Sequence, residues 1–310
     1  MEHFLGLADL TSGQFRSLLE LAIDLKEKWK GGGNRPLLDG KTLGMIFQKP
    51  SLRTRASFEM GMIHLGGQAL YFSPFEIQLG ERESVADVSR VFSRYVDGIM
   101  ARVFGHEDIL TLAEYSRVPV INGLSGHNHP CQALSDFLTI IENKGWELEG
   151  RKLAFLGDGN NVSTSLLFGA TLMGMDFAIA GPPGYGLPDR VWAEGQRFAT
   201  VSGSHLLATH HPEEAVAQAD VVYTDVWASM GEEQEAEERA RVFSPYQVND
   251  VLLQEAKSDA IVMHCLPAHR GQEITDAVCD GPHSVLWDQA ENRMHAQKAV
   301  LVRLMADTEP

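Results

Sequence analysis

Short apolar runs alternate with amphipathic stretches along almost the whole chain. The runs at 42–47 (TLGMIF), 68–72, 97–103 and 118–121 have the length and residue types of strands. Helical spacing of apolar positions predicts helices over 53–65, 84–95, 107–115 and 132–143. An earlier amphipathic helix is predicted over 11–30, opened by Thr11 and Ser12 and closed by the glycines at 31–33. A hydrophilic break, KGWELEG at 144–150, interrupts the pattern. It resumes with strands near 151–157, 176–181, 204–207, 220–224, 260–264 and 284–287. Helices near 161–173, 189–199, 212–217, 249–256 and 272–278 separate them, and a continuous helical segment over 288–305 follows. Strand–helix alternation implies parallel sheets with helices on both faces. Two such blocks predict two doubly wound α/β domains with a seam near 133–150. Ligands in such sheets bind beyond the carboxyl ends of strands, so polar motifs that directly follow strands are the candidates for chemistry.

Composition narrows the partners. The 310 residues suit about two domains. With 26 basic and 42 acidic residues the net charge is −16, which argues against nucleic acid or an anionic membrane as the partner. Any anion site is then a local exception to the overall field. Three cysteines (Cys131, Cys265 and Cys279) fit a reducing compartment without a disulfide framework. No basic-then-apolar leader and no apolar run of about 18 residues appears. A soluble, cytoplasmic protein is expected.

The segment FQKPSLRTR (47–55) leads from a strand into a helix. Free N–H groups and the helix dipole at that start attract anions. Ser51 and Thr54 add hydroxyls, and Arg53 adds a planar fork suited to phosphate. The alternative is an ordinary helix capped by Ser51 with solvated arginines. Arg102, at the end of the run DGIMARV, is either a second anion ligand or a surface arginine. In GHNHPCQALSD (126–136), Pro130 suits a helix start and leaves His129 and Gln132 projecting from loop and first turn. An imidazole and an amide suit a carbonyl oxygen that gains negative charge during a reaction. His127 and His129 also form an HxH pair, the minimal element of a metal site, but a convincing third ligand is lacking.

LGDGNNVSTS (156–165) resembles a dinucleotide turn and raises a dehydrogenase as a rival. Val162 stands where the third glycine belongs, and the next strand, DFAIAG, ends without the acid that holds a ribose. Asn160 and Asn161 instead offer neutral amides suited to an amino-acid head group. YTDVWASMG (223–231) places Asp225 to pair with an ammonium group, with Ser229 and Met230 following. The charged run EEQEAEERAR after it reads mostly as a solvated helix. IVMHCLPAHRG (261–271) puts His264, Cys265 and Leu266 at another strand end. A cysteine nucleophile, or zinc through His264, Cys265 and His269, is disfavoured there because neighbours along a strand face opposite ways. ENRMHAQKA carries Arg293.

In order, FQKPSLRTRASFE, QLGERES, ARV, HPCQALSD, GDGNN, DVWASMG, HCLPAHRG and ENRMHAQKA resemble the aspartate/ornithine carbamoyltransferase family over nearly the whole chain. The intact DVWASMG and HCLP motifs resemble the branch acting on ornithine, rather than those acting on aspartate, putrescine or acetylornithine. The resemblance implies a carbamoyl-phosphate domain over 1–135 together with a terminal helix (289–310) that packs back on it. An ornithine domain over 136–288 completes the pair. It implies that Ser51, the Leu52 backbone, Arg53 and Thr54 hold the phosphate, joined by Arg102, His129, Gln132, Cys265, Leu266 and Arg293. Gln78 of QLGERES is implied to reach a neighbouring subunit's site, hence a homotrimer or a multiple of one. Asn161, Asp225, Ser229 and Met230 are implied to hold L-ornithine. Arg102, His129, Asp225 and Cys265 stand nearest the reacting atoms. No metal or organic cofactor is implied. The family's usual S-T-R-T-R loop has Leu52 here in place of its first threonine, which removes one hydroxyl.

Overall fold

The computed structural model describes residues 1–228 and 235–307. The chain divides into two compact units, Met1–Leu138 together with the chain from Asn292 onward, and Thr139–Glu291.

The first unit is built on a parallel sheet of order β2-β1-β3-β4. Its strands are β1 (Thr42–Phe47), β2 (Gln68–Phe72), β3 (Gly98–Arg102) and β4 (Val120–Leu124). β1, β3 and β4 are buried almost throughout, as continuous apolar runs in a covered parallel sheet should be. Ile46, Val88, Phe92, Ile99, Ile109 and Leu112 belong to one core cluster on this sheet. Helix α1 (Ser12–Lys30) opens with a capping box between Thr11 and Gln14 and buries Phe15, Leu18, Leu19, Ala22 and Leu25. α2 (Leu52–His64), α3 (Pro74–Ile77), α4 (Val85–Phe92) and α5 (His106–Tyr115) follow. The strand order reverses direction between β1 and β3, so the crevice of this sheet lies past Phe47 and Arg102, which are paired in the ladder.

The chain leaves the first unit within α6 (Pro130–Lys144) and returns within α13 (Leu286–Met305). The second unit has a parallel sheet of order β7-β6-β5-β8-β9. Its strands are β5 (Lys152–Leu156), β6 (Asp176–Ala180), β7 (Leu206–Thr209), β8 (Val221–Thr224) and β9 (Ile261–His264). The helices are α7 (Asn161–Leu172), α8 (Asp189–Ser202), α9 (Pro212–Val216), α10 (Ala236–Phe243), α11 (Asp250–Leu253) and α12 (Asp276–Cys279). Here the order reverses between β5 and β8, where Leu156 pairs with Thr224. Thr224 in turn pairs with His264 of β9. No described helix is long and apolar enough to cross a membrane.

Three local differences from the sequence pattern have physical causes. The apolar stretch 284–287 makes a single bridge, Val262 to Ser284, and then becomes the first turn of α13. So short an apolar run carries no period to separate strand from helix. The segment 272–278 is helical only from Asp276, because Thr275 caps the helix by accepting from the Val278 N–H and the Glu273 carbonyl accepts from the Val248 N–H instead of a helical partner. β4 begins at Val120 and runs on through the polar residue Asn122, whose buried amide donates to the Leu5 carbonyl at 2.9 Å.

Candidate active site

In the first unit the polar side chains past β1 and β3 converge on one hydroxyl. Ser51 caps α2, its Oγ accepting from the Thr54 N–H at 3.3 Å and donating to Thr54 Oγ1 at 3.1 Å. Thr54 is fully buried. Arg293, from α13, donates through Nη2 to Thr54 Oγ1 at 2.8 Å, and Arg102 Nη1 lies 3.5 Å from the same oxygen. The β3–β4 register slips between Ala101 and Arg102, an irregularity of the kind that re-aims a side chain beside a site. Arg102 is therefore buried at a strand end, not solvated on the surface. Arg53 differs from its neighbours: among the described residues it makes no ion pair, and its Nε is buried without a hydrogen-bond partner. A guanidinium held in that way is poised for an anion. Leu52 occupies the first turn of α2 and is 82% exposed.

His129 stands at the entry to α6, its carbonyl accepting from the N–H groups of Gln132 and Ala133. It is buried, and burial, reinforced by the positive charges of Arg293 and Arg102, holds its pKa well below the usual 6.5. The ring is consequently neutral, with one N–H to donate. The HxH pair does not act as a unit, since the His127 ring lies against His106, 4.9 Å between centroids. Gln132 gives its Nε2 to Asp136 at 2.8 Å, while its Oε1 is buried and accepts no hydrogen bond among the described residues. Cys131 beside it is inert, its thiol pushed up to about 12 by burial.

Gln78 stands apart from this cluster. It is exposed, in left-handed conformation after α3, and its side chain makes no hydrogen bond among the described residues. Gln48, which no motif in the sequence marks, ties that loop to the end of β1. Its Nε2 donates to the Leu79 carbonyl at 3.3 Å and to Asp108 at 2.9 Å, and its Oε1 accepts from the Phe104 N–H at 2.7 Å.

In the second unit the reversal between β5 and β8 carries the other candidates. Asn160 caps α7 through Oδ1, accepting from Val162 and Ser163, and donates its Nδ2 to Asp225 Oδ2 at 2.9 Å. Asn161, the next residue, opens the first turn of α7. Gly159 clarifies the resemblance to a dinucleotide turn: a Cβ there would lie 2.2 Å from the Gly186 carbonyl carbon, and its N–H donates to the Tyr185 carbonyl at 2.8 Å. This glycine makes room for the protein's own loop, where a dinucleotide turn would make room for a pyrophosphate.

Asp225 is buried, with Oδ1 accepting from the Cys265 thiol at 2.9 Å and from the Val226 N–H at 2.8 Å. Ligand-type atoms of Asp225, His264 and Cys265 lie within 4.8 Å of one another. Both His264 ring nitrogens are already engaged: Nδ1 accepts from the Leu266 N–H at 2.8 Å, and Nε2 meets Glu273 Oε1 at 3.1 Å. The bond to Nδ1 fixes the tautomer and makes Nε2 the donor. Leu266 itself sits at φ 60°, a conformation that costs a branched side chain energy and recurs at functional sites. His269, offered above with His264 and Cys265, has its backbone N–H on Glu273 Oε1 at 2.5 Å. Ser229 and Met230 lie outside the described residues.

Arg239 is the exception within EEQEAEERAR, whose other described residues are exposed or half-buried as a solvated helix should be. It is buried, and it shares the inner face of α10 with Phe243 four residues on. That i, i+4 pair was the only signal in the sequence, and the acidic neighbours masked it.

An anion cradle on one open parallel sheet, and a carboxylate–thiol–amide cluster on a second, are the equipment of a two-substrate group-transfer enzyme. The chain belongs to the aspartate/ornithine carbamoyltransferase family. The model of that family's carbamoyl-P binding domain matches residues 2–142, and that of its Asp/Orn binding domain matches 149–304. The chain is 54% identical over 302 residues to the ornithine carbamoyltransferase of Anoxybacillus flavithermus, covering 97% of this chain and 96% of that protein. It is likewise 54% identical over 301 residues to the anabolic ornithine carbamoyltransferase of Pyrococcus furiosus, covering 97% and 95%. The solved structure of the ornithine carbamoyltransferase from Pyrococcus furiosus superposes with a TM-score of 0.96 at 53% identity, covering 99% of this chain and 98% of that one. The Thermus thermophilus ornithine carbamoyltransferase gives 0.88 at 41%, covering 98% and 99%.

Proposed function

We propose that the chain transfers the carbamoyl group of carbamoyl phosphate to the δ-amine of L-ornithine, giving L-citrulline and phosphate. The observation that carries this reading is the meeting of Arg102 and Arg293 on Thr54, beside Ser51 and a neutral His129. Phosphate is held by Ser51, the Leu52 N–H, Arg53 and Thr54, at the positive end of α2. Arg102 and Arg293 neutralise charge on the phosphate and on the carbonyl oxygen as it becomes an oxyanion. The neutral His129 ring donates to that same oxygen. The Gln132 Oε1, which accepts no hydrogen bond among the described residues, takes the carbamoyl NH2, helped by the Leu266 carbonyl.

Ornithine is held by Asp225 at its α-ammonium and by Asn161 at its carboxylate end, with Ser229 and Met230 in the family's supporting role. The δ-amine lies beside Cys265. Its ammonium form first releases a proton to solvent, and the lone pair so freed attacks the carbonyl carbon. The tetrahedral intermediate then expels phosphate, which leaves with the proton the nitrogen gives up. Atoms and charge balance without a covalent enzyme intermediate, and the protein contributes positioning and fixed charge. The division of labour is a carbamoyl-phosphate domain over 1–135 with the terminal helix, and an ornithine domain over 136–288. Gln78 completes a neighbouring copy's site, so the working form is a homotrimer or a multiple of it, acting in the cytoplasm.

The test is to incubate the protein with carbamoyl phosphate and ornithine and to measure citrulline and phosphate. Equal amounts of the two products support the reading. Phosphate release without citrulline, or neither product between about pH 7 and 9, refutes it.

A further inference from the structure

Among the described residues of the acidic run at 232–241, Arg239 alone is buried, at 7% exposure. Its Nη1 donates to Asp158 Oδ2 at 2.7 Å and to the Trp227 carbonyl at 3.0 Å, and its Nε donates to Glu235 Oε2 at 3.0 Å. The guanidinium also lies 5.1 Å from the centre of the Tyr185 ring. Asp158 follows β5, Tyr185 follows β6 and Trp227 follows β8. One side chain thus gathers three loops at the carboxyl edge of the sheet, the edge where α/β ligands bind.

A second tie runs parallel to this one, the bond from Asn160 to Asp225. Asn160 lies two residues beyond Asp158, and Asp225 two residues before Trp227. Among the described residues the indole N–H of buried Trp227 has no partner, so the loop's polar anchor there is its carbonyl bond to Arg239. A planar fork can serve a carboxylate, a carbonyl and an aromatic face at once, which a lysine ammonium cannot.

We propose that Arg239 is a positioning residue for the amino-acid substrate, holding the loop that leaves β8 against the turn that leaves β5. It thereby keeps Asp225 and Asn161 at one fixed separation. This rests on the reading of those two residues as the ornithine contacts. It assigns Arg239 no contact with either substrate and no part in binding carbamoyl phosphate.

The experiment compares the full-length wild type with Arg239→Gln and Arg239→Lys. Steady-state rates are measured against ornithine at saturating carbamoyl phosphate, with carbamoyl-phosphate affinity by isothermal titration and thermal unfolding alongside. Arg239→Gln should raise the ornithine KM about tenfold or more and leave carbamoyl-phosphate affinity within about twofold. Arg239→Lys keeps the charge toward Asp158 but loses the fork, and should fall between. An unchanged ornithine KM in Arg239→Gln overturns the proposal. So does equal loss of affinity for both substrates in step with a lowered unfolding temperature, the mark of a merely structural role. Should Arg239→Gln fail to fold, Asp158→Asn decides by the same criteria. A wild type that forms no citrulline defeats the functional reading and this inference with it, whereas an active wild type with an unaltered variant KM defeats only the inference.

Discussion

Replacing Arg53 with methionine separates binding from folding more cleanly than any other change in the anion cradle. Arg293 and Arg102 both lean on the Thr54 hydroxyl, so deleting either disturbs the ligand-free protein. Arg53 has no ion pair among the described residues, and its Nε is buried without a partner. Arg53→Met keeps much of the apolar stem and strands no acceptor. Stability should therefore stay within about 0.5 kcal/mol of wild type. The ligand-bound state loses far more. A guanidinium fork gives phosphate two charge-assisted hydrogen bonds, each worth about 1.5–3 kcal/mol when removed. The sum, about 3–6 kcal/mol, weakens carbamoyl-phosphate binding by about 10²–10⁴ in Kd. Isothermal titration with carbamoyl phosphate and urea denaturation of the same sample read the two quantities. A Kd within about threefold of wild type would refute the assignment. An unfolding free energy lowered as much as the binding energy would refute the claim that Arg53 is reserved for the ligand.

Three further outcomes follow. His129→Ala removes the donor to the developing oxyanion and should lower kcat by about 10²–10³ with little change in carbamoyl-phosphate affinity; a smaller loss argues that the arginines alone carry that charge. Asp225→Asn should raise the ornithine KM about tenfold or more and spare carbamoyl-phosphate binding, measured by kinetics and titration respectively. Acid should destabilise the fold through two buried neutral histidines, His129 and His295. Burial, reinforced by nearby lysines, lowers the pKa of His295 to about 3. Because these rings take up protons in the unfolded chain but not in the native one, stability is intact above pH 6.5. It is lost as pH falls below that value, by about 1.4 kcal/mol per pH unit for each histidine. Urea denaturation at pH 7 and pH 5 should show this slope, and His295→Gln should flatten it by one histidine's share.

The strands were legible because covered parallel strands are nearly pure apolar runs, as TLGMIF and KLAFL show. Most candidate residues were legible because they follow such a run directly; Arg293, inside α13, and Gln78, at the end of α3, do not. What composition and spacing could not supply is which strand ends become neighbours. Thr54 and Arg293 lie 239 positions apart, and only the order β2-β1-β3-β4 and the path of α13 explain their contact. Resemblance to a family bridged that gap where periodicity had nothing to offer. Arg239 and Glu273 escaped notice for the opposite reason. Each is a charged residue in a polar segment, and burial of such residues is decided by a partner that periodicity does not reveal, Asp158 at 81 positions for one and His264 at nine for the other. Gln48 was hidden likewise, since an amide at a strand end signals nothing until the loop it ties is in place.

The central claim, carbamoyl transfer to ornithine in particular, is tested most directly by comparing amines. Initial rates with L-ornithine, putrescine and N-acetylornithine at saturating carbamoyl phosphate give kcat/KM for each. An Asp225 that pairs with a free α-ammonium, which acetylornithine lacks, and an Asn161 that meets the carboxylate, which putrescine lacks, predict that ornithine leads both others by at least about 10². Equal rates, or a lead for putrescine or acetylornithine, would contradict it.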